Sequence, residues 1–157
     1  MAKSNRYWLM KSEPGTYSIQ DLAREKKKTT HWDGVRNYQA RNFMQQMKLG
    51  DRVLFYHSNA KPPAAVGVCR VVREAYPDFT AFDPSSKYYD PKSKQESPRW
   101  FMVDVCLEEV FPHPVSLQEI KSVRSLAKMV LVNNSRLSVQ PVTQKEFETI
   151  VKMGHAS

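Results

Sequence analysis

Residues 31–42 hold the densest chemistry of the chain: His31-Trp32-Asp33-Gly34-Val35-Arg36-Asn37-Tyr38-Gln39-Ala40-Arg41-Asn42. Aromatic rings, arginines and asparagines crowd what reads as a helix start, which points to an anionic ligand carrying a flat ring. A helix N-terminus presents free N–H groups, so Arg36 and Arg41 beside it would complete a phosphate seat. A ring such as Trp32 can stack a nucleobase, worth about 1–3 kcal/mol per base in single-strand binders. Asn and Lys side chains, with strand-end backbone groups, can read a Watson–Crick edge. Each of these residues also has a plain structural use. Asn37 suits an N-cap, and a lone Trp is more often buried than presented. Tyr56 and Trp100, from two other strands, would be further walls of such a pocket, and Tyr56 serves equally as a core tyrosine with its hydroxyl satisfied.

Catalytic patterns are sparser. Lys11-Ser12-Glu13 puts an amine, a hydroxyl and a carboxylate at a strand end, and a Ser–Lys pair becomes nucleophilic when burial lowers the lysine pKa. His57 and Ser58 are adjacent, but neighbouring strand residues point to opposite faces. The four histidines and two cysteines show no metal-ligand spacing. Neither phosphate-cradling glycine motif is present, so no cofactor is expected.

Short helices and strands must position these groups. Ser18 to Asp21, Ser116 to Glu119 and Thr143 to Glu146 fit capping boxes, each bracketed by an apolar staple pair. They predict helices over 18–25, 116–122 and 143–153. Asn37 to Lys48 is a fourth, with Ala40, Phe43, Met44 and Met47 on one face and Gly50 as its terminator. Strands are expected at 7–10, 51–57, 65–73, 100–111 and near 137–140. Val66, Val68 and Val72 would share one face of the third. Residues 58–63 and the proline-bearing 83–98 are loops, the latter long enough to be functional or mobile. Without a βαβ rhythm, this reads as an α+β domain: a curled, mostly antiparallel sheet or open barrel with helices at its ends.

The chain has 157 residues and a formal net charge of +8. A single domain is the expectation at this length. Residues 1–73 carry 14 Lys and Arg against 5 Asp and Glu, whereas residues 74–157 carry 10 against 11. The asymmetry favours an anionic partner such as nucleic acid. The Arg24–Lys28 run could hold phosphates but reads better as a solvated helix end. No apolar run suits a membrane span, and the first residues lack a secretory signal. Cys69 and Cys106 read as reduced core thiols of a cytoplasmic or nuclear protein.

Three strings closely resemble the EVE domain: Tyr7-Trp8-Leu9-Met10-Lys11-Ser12-Glu13-Pro14, then Trp32 through Asn42, then Phe55-Tyr56-His57-Ser58. Residues 82–100 and Ser138-Val139-Gln140-Pro141-Val142 match as well, so the similarity spans residues 6–153. The resemblance implies a PUA-like fold, an open β-barrel with flanking helices, and a non-enzymatic module that reads a modified base, chiefly modified cytosine in DNA. Carried over, Lys11 and Ser12 match the strand-end pair at the pocket. Trp32 matches the motif tryptophan, with Val35, Arg36 and Asn37 in the turn beside it. Two other functions stay open: hydrolysis of a modified nucleoside, as in the related ASCH domains, using Lys11, Ser12 and Glu13 or Glu74; or an RNA-binding accessory role.

Overall fold

The structure, a computed structural model, describes residues 6–134 and 136–156. The first five residues, on which part of the N-terminal reading rests, lie outside them. Among the described residues six strands form one mixed sheet. They are β1 (Tyr7–Ser12), β2 (Thr29–His31), β3 (Arg52–His57), β4 (Ala64–Pro77), β5 (Phe101–Ser116) and β6 (Val139–Val142), in the order β2-β5-β4-β3-β1-β6. β1 runs parallel to β3, with Lys11 beside Tyr56 and Ser12 beside His57. The other pairings are antiparallel. Among the described residues the ladder runs from β2 to β6 without closing, so of the curled sheet or open barrel expected from sequence, the structure shows an α+β fold on an open mixed sheet.

Among the described residues five α-helices cover the sheet: α1 (Ile19–Arg24), α2 (Tyr38–Gln46), α3 (Leu117–Ser122), α4 (Val130–Asn133) and α5 (Gln144–His155). α1, α3 and α5 begin with the capping boxes read from sequence, Ser18 with Asp21, Ser116 with Glu119 and Thr143 with Glu146. Each box satisfies N–H groups that a helix start otherwise leaves bare. α2 is capped by Asn37, whose Oδ1 accepts from the Ala40 N–H at 2.9 Å. It ends at Gln46, earlier than expected. Gly50, at φ 86°, belongs to the next turn, where the Asp51 N–H donates to the Lys48 carbonyl at 3.0 Å.

Two apolar clusters lie on opposite faces of the sheet. One gathers Trp8, Met10, Trp32, Phe55 and Val105 with α1 and α2. The other gathers Leu9, Leu54, Tyr56 and Phe111 with α3, α4 and α5. Alternation along β1 and β3 sends neighbours to opposite clusters. β4 departs from that rule, because Val66 joins the first cluster and Val68 the second. The irregular register around Gly67 causes this, since an extra residue shifts side-chain parity and bends the strand. Asp51, 1% exposed, ties the start of β3 to β1 and α2 by accepting from Trp8 Nε1 at 2.9 Å and from the Lys48 N–H at 3.0 Å.

Candidate nucleic-acid binding site

A cleft of about 750 Å³ opens at the end of the sheet where β1 and β3 finish. Its volume lies in the range of small-molecule sites. Lys11 and Ser12 reach it from the end of β1. Thr16 and Tyr17 come from the turn that follows, and Thr30 through Arg36 from β2 and the segment after it. Lys87 and Tyr88 come from the long 83–98 loop, and Arg136 and Ser138 from the approach to β6.

Trp32 forms the apolar floor. Its N–H donates to the Val103 carbonyl at 2.8 Å, extending the β2–β5 pairing. Its ring meets Phe55 edge-on at 5.2 Å. At 8% exposure it belongs to the core and to the cleft lining at once. The two readings of Trp32 as plug and as wall therefore describe one residue. Val35 lies beside it, buried and lining the cleft.

Gly34 adopts φ 82°, the left-handed region that suits glycine. The Tyr88 ring lies flat against its backbone: a Cβ there would sit 2.5 Å from the ring. Tyr88 is thus a second aromatic wall, supplied by a loop 52 positions downstream of Arg36. Asp78, fully buried, latches this arrangement. It accepts from the Gly34 N–H at 2.8 Å, from Arg36 at 3.0 Å and from the Thr80 N–H at 2.8 Å. Arg36 in turn donates twice to the Tyr88 carbonyl, and also to the Val35 carbonyl and the Thr80 hydroxyl. All five of its N–H groups are thereby engaged within the protein.

Polar groups line the rest. The Ser12 hydroxyl donates to the Tyr17 carbonyl at 2.6 Å, and Tyr17 donates to Glu25 at 2.7 Å. Burial, with the Glu25 carboxylate beside it, pushes the Tyr17 phenol up. Burial lowers the Lys11 pKa. His57, just behind the cleft, accepts from the Ile19 N–H through Nε2 at 3.1 Å, and burial lowers its pKa as well. Four cations and three carboxylates line the cleft, so the basic excess of residues 1–73 is not concentrated there.

The structure brings Lys11, Ser12, Trp32, Val35 and Arg36 together in the cleft and places four other candidates elsewhere. Asn37 is spent on the α2 cap. Tyr56 points into the opposite cluster, because Phe55 before it faces Trp32. There the Lys11 ammonium stands 5.8 Å from its ring centroid, and burial pushes the phenol up to about 12. Trp100 is buried against Tyr38 at 4.8 Å, its Nε1 donating to Asp90 at 2.7 Å. Arg41 lies over Tyr38 and donates to the Arg99 carbonyl and to Asn42. Glu74, the other acid considered for catalysis, accepts from the Leu49 N–H outside the cleft lining. Tyr88, Asp78 and Arg136 were missed as site residues, although Tyr88 lies in the long 83–98 loop and within the 82–100 stretch that resembles the EVE domain. Among the described residues no cluster of three His, Cys, Asp or Glu side chains suits a metal ion. No described helix is long and apolar enough to cross a membrane.

Comparison with known proteins matches residues 6–153 to the EVE domain. Thymocyte nuclear protein 1 of Mus musculus is 46% identical over 166 residues, covering 95% of this chain and 74% of its own. A hypothetical protein from Leishmania major superposes with a TM-score of 0.92 at 52% identity, covering 96% of this chain and 95% of that one. Human THYN1 protein, crystallised in complex with 5-methylcytosine-containing DNA, superposes with a TM-score of 0.92 at 44% identity, covering 98% and 99%. The chain belongs to the EVE-domain family.

Proposed function

We propose that this EVE-domain protein binds nucleic acid through a modified base, a modified cytosine in DNA foremost, and holds that base in the Trp32 cleft. One observation carries the reading. A buried indole floor and the Tyr88 ring bound a cleft whose remaining lining mixes hydroxyls with four cations and three carboxylates. Rings accept the faces of a base, while Ser12, Thr30 and Ser138 offer partners for its edge. The human relative crystallised with 5-methylcytosine-containing DNA supports the choice of ligand. On this reading Arg36 positions the Tyr88 wall. Phosphates are met at the rim by Lys87 and Arg136, both exposed. Arg41, with three of its five N–H groups engaged, is a further contact outside the cleft.

The test is a titration of the pure protein, at stated salt, with oligonucleotides that differ in one cytosine: unmodified, 5-methyl or 5-hydroxymethyl. One methyl-sized group in a fitted pocket is worth about 1–3 kcal/mol, so the expected preference is roughly 10- to 200-fold. Extruding a base costs a few kcal/mol, so single strands and mismatches should bind better than perfect duplex. Equal affinity across the series would overturn the proposal, and tighter binding of matched RNA would reassign the ligand.

A second reading, hydrolysis of a modified nucleoside, draws on the lowered pKa of Lys11 beside Ser12 and Glu13. Against it, the Ser12 hydroxyl proton is directed at the Tyr17 carbonyl. Release of free acid from an acylated cytidine, lost in Lys11→Met, would support this second reading.

A further inference from the structure

Phe79 is an exposed phenyl ring, 52% accessible, at the mouth of the cleft. It meets His31, itself exposed and lining the cleft, edge-on at 5.0 Å between ring centroids. The turn that carries it is held firmly. The Asp78 N–H donates to the Trp100 carbonyl at 2.9 Å, and the Ala81 N–H donates to the Asp78 carbonyl at 3.2 Å. The residue just before Phe79 is the buried Asp78, whose carboxylate also binds the backbone of Gly34 and the side chain of Arg36. The same latch therefore fixes Phe79 relative to the Trp32 floor.

Beyond its edge contact with His31, this half-exposed ring buries little against the fold. It is well placed for a ligand, because little conformational freedom remains to be lost on binding. Tyr38 and Leu49, as exposed as Phe79, lack this setting. Both faces of Tyr38 are covered, by Trp100 and Arg41. Leu49 precedes the start of β3, at the end of the strand away from the cleft.

We propose that Phe79, backed by His31, stacks on the nucleobase adjacent to the one held in the cleft. Drawing one base out of a strand strips a stacking face from its neighbour, and an inserted apolar side chain replaces that contact in proteins that deform nucleic acid. This assignment rests on the cleft reading, extends it from one nucleotide to two, and makes Phe79 a determinant of strand binding without a part in recognising the modification.

The experiment titrates wild-type protein, Phe79→Ala and Phe79→Trp with two probes, 5-methyl-2′-deoxycytidine monophosphate and a short single-stranded oligonucleotide carrying one 5-methylcytosine. Unmodified versions serve as controls. Phe79→Ala is expected to bind the oligonucleotide about tenfold more weakly. Its affinity for the mononucleotide, its methyl preference and its melting temperature should match wild type. Phe79→Trp should restore oligonucleotide binding. Wild-type affinity of Phe79→Ala for the oligonucleotide, with methyl preference intact, would overturn the role of Phe79 and leave the cleft reading standing. An equal loss with both probes would also overturn it, placing Phe79 in the cleft itself. Absence of methyl preference in the wild-type protein would overturn the cleft reading, and with it the assignment of Phe79 to a neighbouring base.

Discussion

Replacing Arg36 separates a phosphate contact from an internal latch. Its guanidinium is bound to a carboxylate with no exposure, and its own side chain is 22% exposed. Removing one partner of a buried pair costs about 3–5 kcal/mol. Water can partly reach Arg36, so Asp78→Ala belongs at the lower end, about 3 kcal/mol. In a domain of this size each kcal/mol moves the melting temperature by about 2–4 °C, so a drop of roughly 6–12 °C is expected. Arg36→Ala should cost somewhat less, about 2 kcal/mol, because Asp78 keeps the Gly34 and Thr80 donors. The double variant should fall short of the sum by at least ~1 kcal/mol, the signature of coupled partners. Urea unfolding measures all four proteins, and hydrogen exchange over 83–98 reports whether the loop loosens once Tyr88 loses its tether. A phosphate contact behaves differently: Arg36→Ala would leave unfolding unchanged and flatten the salt dependence of binding. Additive effects, or an Arg36→Ala variant within ~0.5 kcal/mol of wild type, would refute the latch.

Other expectations follow from the same geometry. Lys87→Ala and Arg136→Ala should each reduce the slope of log affinity against log salt by about 0.9 for duplex DNA, while leaving melting temperatures unchanged. Trp32→Ala should cost about 3–5 kcal/mol because the ring is core as well as floor; Trp32→Phe should stay folded and lose discrimination between modified and unmodified base, measured by competition titration. Gly34→Ala should destabilise by about 1–3 kcal/mol from its positive φ alone, and should weaken binding further by displacing Tyr88. The folded-state pKa of His57 is depressed, so the unfolded chain holds the extra proton in the window below its ordinary value. Its contribution to stability is complete above about pH 6.5 and is lost as pH falls through the lowered value. The stability difference between wild type and His57→Gln should therefore shrink on acidification, and a pH-independent difference would remove His57 from the account.

The legible parts of this fold were those written in neighbouring residues. The capping boxes at Ser18, Ser116 and Thr143 each need only four consecutive positions, and all three start helices. Parity along β3 was readable too, and it forbids a shared pocket for Tyr56 and a ring that contacts Phe55. What stayed hidden depends on pairings distant in sequence. The parallel match of β1 with β3 joins short strands separated by two helices, and no local pattern announces it. The bulges of β4 scramble the simple alternation of Val66 and Val68 for the same reason. In the site, the strand-end pair and the motif around Trp32 were visible. Asp78 was not, because a single aspartate shows its burial only once the turn after β4 is folded under Gly34.

The composition of the cleft also constrains how selectivity arises. A general nucleic-acid binder concentrates positive charge where the strand lies, and its affinity is carried by phosphate neutralisation. Here the cleft mixes four cations with three carboxylates, and Arg36 is fully engaged by Asp78, Tyr88 and their neighbours. Acidic groups inside it discourage a phosphate from settling where a base should go. Shape is therefore left to decide what enters: the Trp32 floor, the Tyr88 wall set by a glycine that tolerates no Cβ, and the hydroxyls between them. Cations on the rim can raise affinity for any strand without altering that choice. Rim substitutions should consequently change salt dependence equally for modified and unmodified ligands. Changes to Gly34, Asp78 or Trp32 should change the ratio between them.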